Sequence, residues 1–411
     1  MNEFDIVVIG AGAAGIAAAH AARAAKLTCQ VLEANDRVGG RAFTDTASLS
    51  QPFDHGCQWL HAASINPLVP LADRLGIRYS KPPFAFRIHD GRWWLNDTLV
   101  AEFVAAMQAA YGRMDEVGRA GNDVAAATCL DPADRWTAAF RRNYTSYMAA
   151  PPEEVSVYDT SRFAHTDENW PVDDGFGSLF QRLAEGHEIR THCPAKSVDW
   201  GSDQIMVGTP QGMLFARAVI VTVSTAVLAA ERVKFFPLLP DWKQAAIAQV
   251  PLGFAEKIAL EFQPDPFLGL ETHFAVMDWA GAPPGGFLVH PFGRPVATLF
   301  LGGATARDLA TGPEEAAVDF AKETLKTLFG ADVARKVTRS KATRWAAEPL
   351  VGGAYSVLRP GGGEARAQLA EPVADRLFFA GEATSPDAFS TAHGAWQSGF
   401  AAVAAVKKVL G

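Results

Sequence analysis

The sequence predicts an α/β fold: a parallel-sheet unit, discontinuous along the chain, into which a mixed-sheet and helical unit is inserted. Three stretches carry that prediction. Residues 4–33 read as strand, glycine turn, alanine-rich helix and second strand. Residues 377–399 repeat the order strand, glycine, helix. Between them, from 188 to 340, short alternating runs are separated by Gly, Pro and Asp and read as strands and hairpins.

Phe4–Ile9 is an apolar, β-branched run with the length of a buried strand. It leads into Gly10-Ala11-Gly12-Ala13-Ala14-Gly15, and Ile16–Ala25 has helical composition. Cys29–Leu32 is a second apolar run, ending at Glu33 and Ala34. This is the context that a Rossmann-like dinucleotide turn requires. Gly10 allows the tight turn, Gly12 lets the backbone approach a pyrophosphate, and Gly15 lets helix and strand pack closely. The helix N-terminus offers free N–H groups and partial positive charge to phosphates. Glu33, 18 residues after Gly15, can accept hydrogen bonds from both ribose hydroxyls. Ala14, inside the loop, and Ala34, next to Glu33, join the candidate cofactor-binding positions. Without its flanks, the glycine motif alone would equally suit a structural turn.

The 411 residues suffice for two or three domains. The formal charge of −8 is mild and argues against a nucleic-acid partner. No basic segment precedes the first strand, and no apolar run reaches about 18 residues, so neither a signal peptide nor a membrane span is expected. Four separated cysteines with no CxxC pair fit a reducing compartment, the cytoplasm. His55, Cys57 and His61 lie close together, but no second ligand cluster follows, so no metal is expected.

Arg37-Val38-Gly39-Gly40-Arg41 follows the second strand at once. With the glycine turn and Glu33, it resembles the flavin-containing amine oxidase family: monoamine and polyamine oxidases and, more distantly, L-amino-acid oxidases and desaturases. The resemblance implies FAD as cofactor. Arg41 would approach its phosphates, and Gly40, beside Arg37, would let the loop pass it. The other reading of Arg37 and Arg41 is two solvated loop arginines. Phe53–His61 resembles the family segment whose tryptophan loop passes the flavin, which brings in Gln58 and Trp59. His61 is open between substrate contact and a structural histidine. Cys57 and Gln58 depart from the usual small or amide residues.

Asn66–Leu75 reads as a short helix ending at Gly76, and residues 77–95 as strands broken at Pro82-Pro83 and Asp90-Gly91. From Asn96 to about Tyr147 the pattern is helical. It shows no long coiled-coil arm, and no chromatin-targeting domain is added; both absences count against a histone demethylase. Asp174–Ala184 resembles the helix that returns the family's chain to its FAD domain. The backbone around Val198 resembles the stretch beside adenine. Ala218–Val223 reads as a fully buried parallel strand, and Pro313–Leu328 as an amphipathic helix.

The C-terminal third carries the most specific resemblance: Arg344-Trp345, Gly352-Gly353-Ala354-Tyr355-Ser356, Leu377–Ser385 and His393–Gly399. It implies that Trp345, Gly381 and Glu382 meet the cofactor. It also implies that the helix opened by Gly394-Ala395 turns its N–H groups to the flavin pyrimidine. Tyr355 and Trp396 would be the two aromatic walls that exclude water and fix a neutral amine; the other reading is two core aromatics. Ala354 stands where monoamine oxidases carry the flavin-linking cysteine, so FAD is expected to be noncovalent. Lys257 alternates with Ile258, Leu260 and Phe262 and could be a solvated lysine paired with Glu261. It also resembles the family lysine that reaches flavin N5 through a water.

The expected organisation is a Rossmann-like FAD-binding domain of residues 1–80, 171–235 and 345–411, and a substrate-binding domain of 81–170 and 236–344. The expected chemistry is oxidation of a small-molecule polyamine or monoamine at its C–N bond, with O2 as acceptor. Tyr355, Trp396, Lys257 and His61 would act at the reacting end. An amino-acid oxidase or desaturase, a flavin-dependent isomerase and a non-catalytic FAD protein are the rivals.

Overall fold

The computed structural model describes residues 3–81, 85–166 and 168–411. The Pro82-Pro83 turn signal lies outside the described residues. Two large sheets organise the chain. In the first, Glu3–Ile9 is central, parallel to Cys29–Leu32 on one side and Gly212–Val221 on the other. Gly212–Val221 explains its own composition. Its first half pairs antiparallel with Ile205–Thr209, and its second half pairs parallel with Leu377–Phe379. The first half accordingly alternates in exposure, while Ala218–Val221 is buried throughout. Ile6, Val7, Val8 and Ile9 are 0–3% exposed, and burial of each contributes about 1.5–3 kcal/mol.

Two alanine-rich helices, Ala13–Ala24 and Ala392–Leu410, cover one face of this sheet. Small side chains let them nearly touch. A Cβ on Gly399 would stand 2.2 Å from the Ala14 carbonyl oxygen. The N-terminal and C-terminal halves of the nucleotide-type signature are thereby packed into one layer.

The second sheet runs in the order 337–342, 255–262, 296–302, 285–289, 273–277, 85–89. It is antiparallel except for its last pair, which is parallel. Period-2 alternation divides its faces. Ile258, Leu260 and Phe262 pack with Ala317, Ala321 and Leu325 of the helix Glu314–Phe329. Lys257 and Ala259 turn the other way. The helical stretch expected from Asn96 to Tyr147 is two helices, Asp97–Arg119 and Thr137–Met148. Asn96 caps the first by accepting from Leu99 N–H at 3.0 Å. Gly121, at φ 84°, lets the chain turn just past its end. Among the described residues, no helix is long and apolar enough to cross a membrane.

Candidate active site

A cavity of about 1880 Å³ runs between the two sheets, from the glycine turn to the helical roof. At one end lie Gly10, Gly12, Ala14, Glu33, Ala34, Arg37, Gly40 and Arg41. Gly15 does not reach the cavity; a Cβ there would stand 1.9 Å from the Gly10 carbonyl oxygen, so its role is close packing, as the motif implies. Gly12 is the opposite case, since a Cβ there would meet no protein atom within 4 Å and would project into open space. Glu33 is oriented by the backbone: Ala11 N–H donates to it at 2.7 Å and Asn35 N–H at 2.8 Å.

Further in, Arg41 Nη1 donates to Glu382 at 2.8 Å and to the Ala354 carbonyl at 2.7 Å. Glu382 also accepts from the N–H groups of Ser356 and Ser390 at 3.1 and 2.9 Å. Burial pushes this carboxyl up, but Arg41, Ser356 and Arg366 outweigh it and hold it below the usual range. Gly381, Gln58, Trp59 and Trp345 line the same space, and Trp345 Nε1 donates to the His55 carbonyl at 2.9 Å.

Lys257 enters from the second sheet. It is 7% exposed. Its Nζ donates to the carbonyls of Asp54 (3.0 Å) and Gly56 (2.8 Å) and to Gln58 Oε1 (3.0 Å). Burial brings its pKa down to about 8, against the opposing pull of Asp54 and Cys57. The alternative partner, Glu261, is engaged with Ser50 N–H at 3.2 Å and lies 3.9 Å from Arg339. Tyr355 lines the cavity with its hydroxyl donating to the Tyr147 carbonyl at 2.7 Å, and burial raises its pKa. His61 also lines the cavity, 2.7 Å from Asn169 through Nδ1, and burial lowers its pKa. Among the described residues, no group of three His, Cys, Asp or Glu side chains could hold a metal ion.

Residues 137–407 match the model of the family "flavin containing amine oxidoreductase", and residues 8–75 that of an NAD(P)-binding Rossmann-like domain. The chain belongs to the flavin-containing amine oxidoreductase family. Polyamine oxidase 4 of Oryza sativa subsp. japonica is 30% identical, with 98% of this chain and 88% of that protein covered. Lysine-specific histone demethylase 1 homolog 3 of Arabidopsis thaliana is 27% identical over 97% of this chain, which spans 30% of that protein. Among solved structures, cyclohexylamine oxidase from Brevibacterium oxydans IH-35A superposes with a TM-score of 0.83 at 22% identity, covering 99% of both chains. The protein is therefore an oxidoreductase acting on amines, and its cofactor is FAD.

The residues present fit that cofactor. The open space at Gly12 leaves room for a pyrophosphate, and the Glu33 carboxylate stands at the same end of the cavity. Glu33→Gln places an amide NH2 against a backbone N–H that now donates to a carboxylate. It is expected to weaken FAD binding by about 1–2 kcal/mol, a roughly 5- to 30-fold rise in Kd. Titration of the apoprotein by flavin fluorescence checks this; an unchanged Kd removes Glu33 from the ribose site.

Three expected positions are corrected. Val198 is 0% exposed, in a strand flanked on both sides by Ile205–Thr209 and Lys234–Phe236. The cavity wall at this point is Pro194, Ala195 and Lys196, just before that strand. Trp396 is no wall of the cavity either. It packs 5.4 Å from the His20 ring and 6.2 Å from Phe180. One residue is about 100° of helix, so Ala392 and Ala395 face the cavity while Trp396 faces the core. Thr391, the helix N-cap, lines the cavity on this side and was not singled out in the sequence. Gly394 also leaves the cavity: its N–H donates to Thr391 Oγ1 at 3.0 Å, and a Cβ there would collide with the Ala388 carbonyl. The Ala395 N–H is likewise bonded to the Thr391 carbonyl. The helix-terminal donors without helical partners are those of Ala392 and His393.

Proposed function

We propose that the protein oxidises the C–N bond of a small amine carried on an apolar substituent, the cofactor held by residues 1–80, 171–235 and 345–411 and the substrate by 81–170 and 236–344. The observation that carries this reading is that Lys257 and Tyr355 line one cavity whose outer half presents an apolar, largely aromatic wall. That half is walled by Phe103, Met107, Tyr111, Phe274, Phe300 and Phe389. FAD held by Gly12, Glu33, Arg41 and their neighbours would supply the two-electron oxidation of amine to imine, with O2 as the acceptor reduced to H2O2, and hydrolysis of the imine would give a carbonyl compound. The chain's own residues exclude water and orient the amine. The apolar wall favours the neutral form of the substrate, and the Lys257 ammonium, lining the same cavity, would stabilise negative charge developing on the reduced cofactor.

The cavity's arginines, Arg37, Arg41 and Arg232, all lie on the cofactor side, in the RxGGR loop or beside Val233 and Ser224. This speaks against an amino-acid oxidase that holds its substrate carboxylate with an arginine; the cation lining the cavity beside Trp170 is Lys81, 4.3 Å from the centroid of that ring. A polyamine is the second reading, favoured by Asp115 and Glu168 on the substrate half. Peroxide release under air from benzylamine, spermine and an L-amino acid tests the choice. Turnover is expected with the apolar monoamine; preference for spermine moves the reading to polyamines, and no peroxide from any amine overturns it.

FAD is proposed to be noncovalent, since Ala354 lines the cavity at the position before Tyr355. Cys57, also at the cavity, is held as a thiol by burial, with its pKa pushed up to about 11. Acid precipitation is expected to leave all flavin in the supernatant; flavin retained on the pellet contradicts this. The four cysteines are all free, which supports a reducing compartment, the cytoplasm.

A further inference from the structure

Behind the cavity wall, Arg366, one of the groups that hold the Glu382 carboxyl down, forms a buried pair with Asp159. Asp159, in the short helix Val157–Thr160, accepts from Arg366 Nε at 2.8 Å and Nη2 at 2.9 Å. Both side chains are 5% exposed. Arg366 Nη1 donates to Ser356 Oγ at 2.8 Å and to the Ala383 carbonyl at 3.2 Å. Ser356 in turn donates from its N–H and its hydroxyl to Glu382, which Arg41 holds from the other side. The guanidinium also lies 4.1 Å from the centroid of the Phe389 ring. Each segment that Arg366 touches presents a residue to the cavity: Thr160 after Asp159, Tyr355 before Ser356, Glu382 before Ala383, and Phe389 itself.

A buried ion pair is weak grounds for stability, because desolvation of both charges offsets their attraction. Geometry gives this one another purpose. The rigid fork of an arginine can bind one carboxylate with two donors and still bond elsewhere, which a lysine cannot reproduce. Here it ties the short helix Val157–Thr160, whose Thr160 lines the cavity, to the segment carrying Tyr355 and to the carboxylate beside Arg41. The charges along the line alternate: Asp159, Arg366, Glu382, Arg41.

We propose that Arg366, oriented by Asp159, is a positioning residue that sets the Tyr355-Ser356 segment and the Glu382 carboxylate for bound FAD and amine. Its amine side rests on the function proposed above; its FAD side does not. Two variants test it. Arg366→Lys keeps the charge and loses the fork. It is expected to load FAD with a Kd raised about tenfold and to slow flavin reduction by saturating amine about tenfold. The double variant Asp159→Asn/Arg366→Gln removes both charges, so its thermal midpoint is expected to return toward that of the wild type. Its FAD Kd and reduction rate are expected to stay impaired.

A merely structural pair predicts that midpoint, Kd and rate recover together in the double variant, and that result overturns the proposal. Wild-type Kd and rate in Arg366→Lys overturn it as well, as does failure of both variants to load FAD. If the wild-type enzyme oxidises no amine, the proposed function fails while the FAD Kd still decides this inference.

Discussion

Lys257→Met is expected to retain FAD and to slow flavin reduction, reoxidation or both by about tenfold or more, at least about 1.4 kcal/mol of barrier. Methionine fills much of the lysine stem's volume, so packing in the wholly buried strand Ala255–Phe262 changes little. What disappears is a cation and its three bonds to Asp54, Gly56 and Gln58. The loop bearing Gln58 and Trp59 loses its tether at the same time. A pH dependence follows from the lowered pKa. Lys257 is cationic below about pH 8 and neutral above it, whereas in water it would remain cationic to about 10.4. A half-reaction that uses the cation therefore loses rate as pH rises through about 8, and Lys257→Met lacks that limb. Stopped-flow pH profiles of both half-reactions, in wild type and variant, check it. Identical profiles with normal FAD content would return Lys257 to a structural role.

Gly15→Ala is expected to abolish FAD loading and to destabilise the apoprotein by about 3 kcal/mol or more. The added methyl would lie 1.9 Å from the Gly10 carbonyl oxygen and 3.0 Å from its carbon. Both are backbone atoms at the end of the central strand, so the whole Ala13–Ala24 helix must move off the sheet. Gly12→Ala is the control, because its methyl meets no protein atom within 4 Å. It should fold with an unchanged thermal midpoint and lose FAD affinity alone, because the methyl occupies the space left for the cofactor. Apoprotein melting curves with FAD titrations separate the two; equal melting loss in both variants would contradict the assignment of roles within the turn.

The parts of this site that were legible in the sequence are those set by local chain geometry. The turn at Gly10–Gly15, the acid at Glu33 and the strand Leu377–Phe379 leading to Gly381 each need particular residues within a few positions, and Gly10, Gly12, Glu33 and Gly381 all line the cavity. Strand alternation put Lys257 opposite Ile258 and Leu260 but implied a solvated lysine beside Glu261; only the family resemblance pointed it inward, and that its neighbours are the backbone carbonyls of Asp54 and Gly56 was not legible. Trp396 shows where motif reading fails. Its place in the chain was right for the final helix, but the helix begins at Ala392 with Thr391 as cap, and its phase turns the indole into the core. Val198 fails similarly, because sheet neighbours on both sides bury it. Arg366 carries no local signal. It lies in a six-residue helix after a glycine-rich turn, and its partners come from segments more than 200 residues apart at the extreme.

The most direct test of the account is anaerobic mixing of the FAD-loaded protein with benzylamine while flavin absorbance is followed. The account predicts bleaching at a rate that rises with amine concentration toward saturation, and recovery of the oxidised spectrum on admission of O2 with one H2O2 released per flavin. A flavin that bleaches with dithionite but with no amine, benzylamine or spermine, would contradict it.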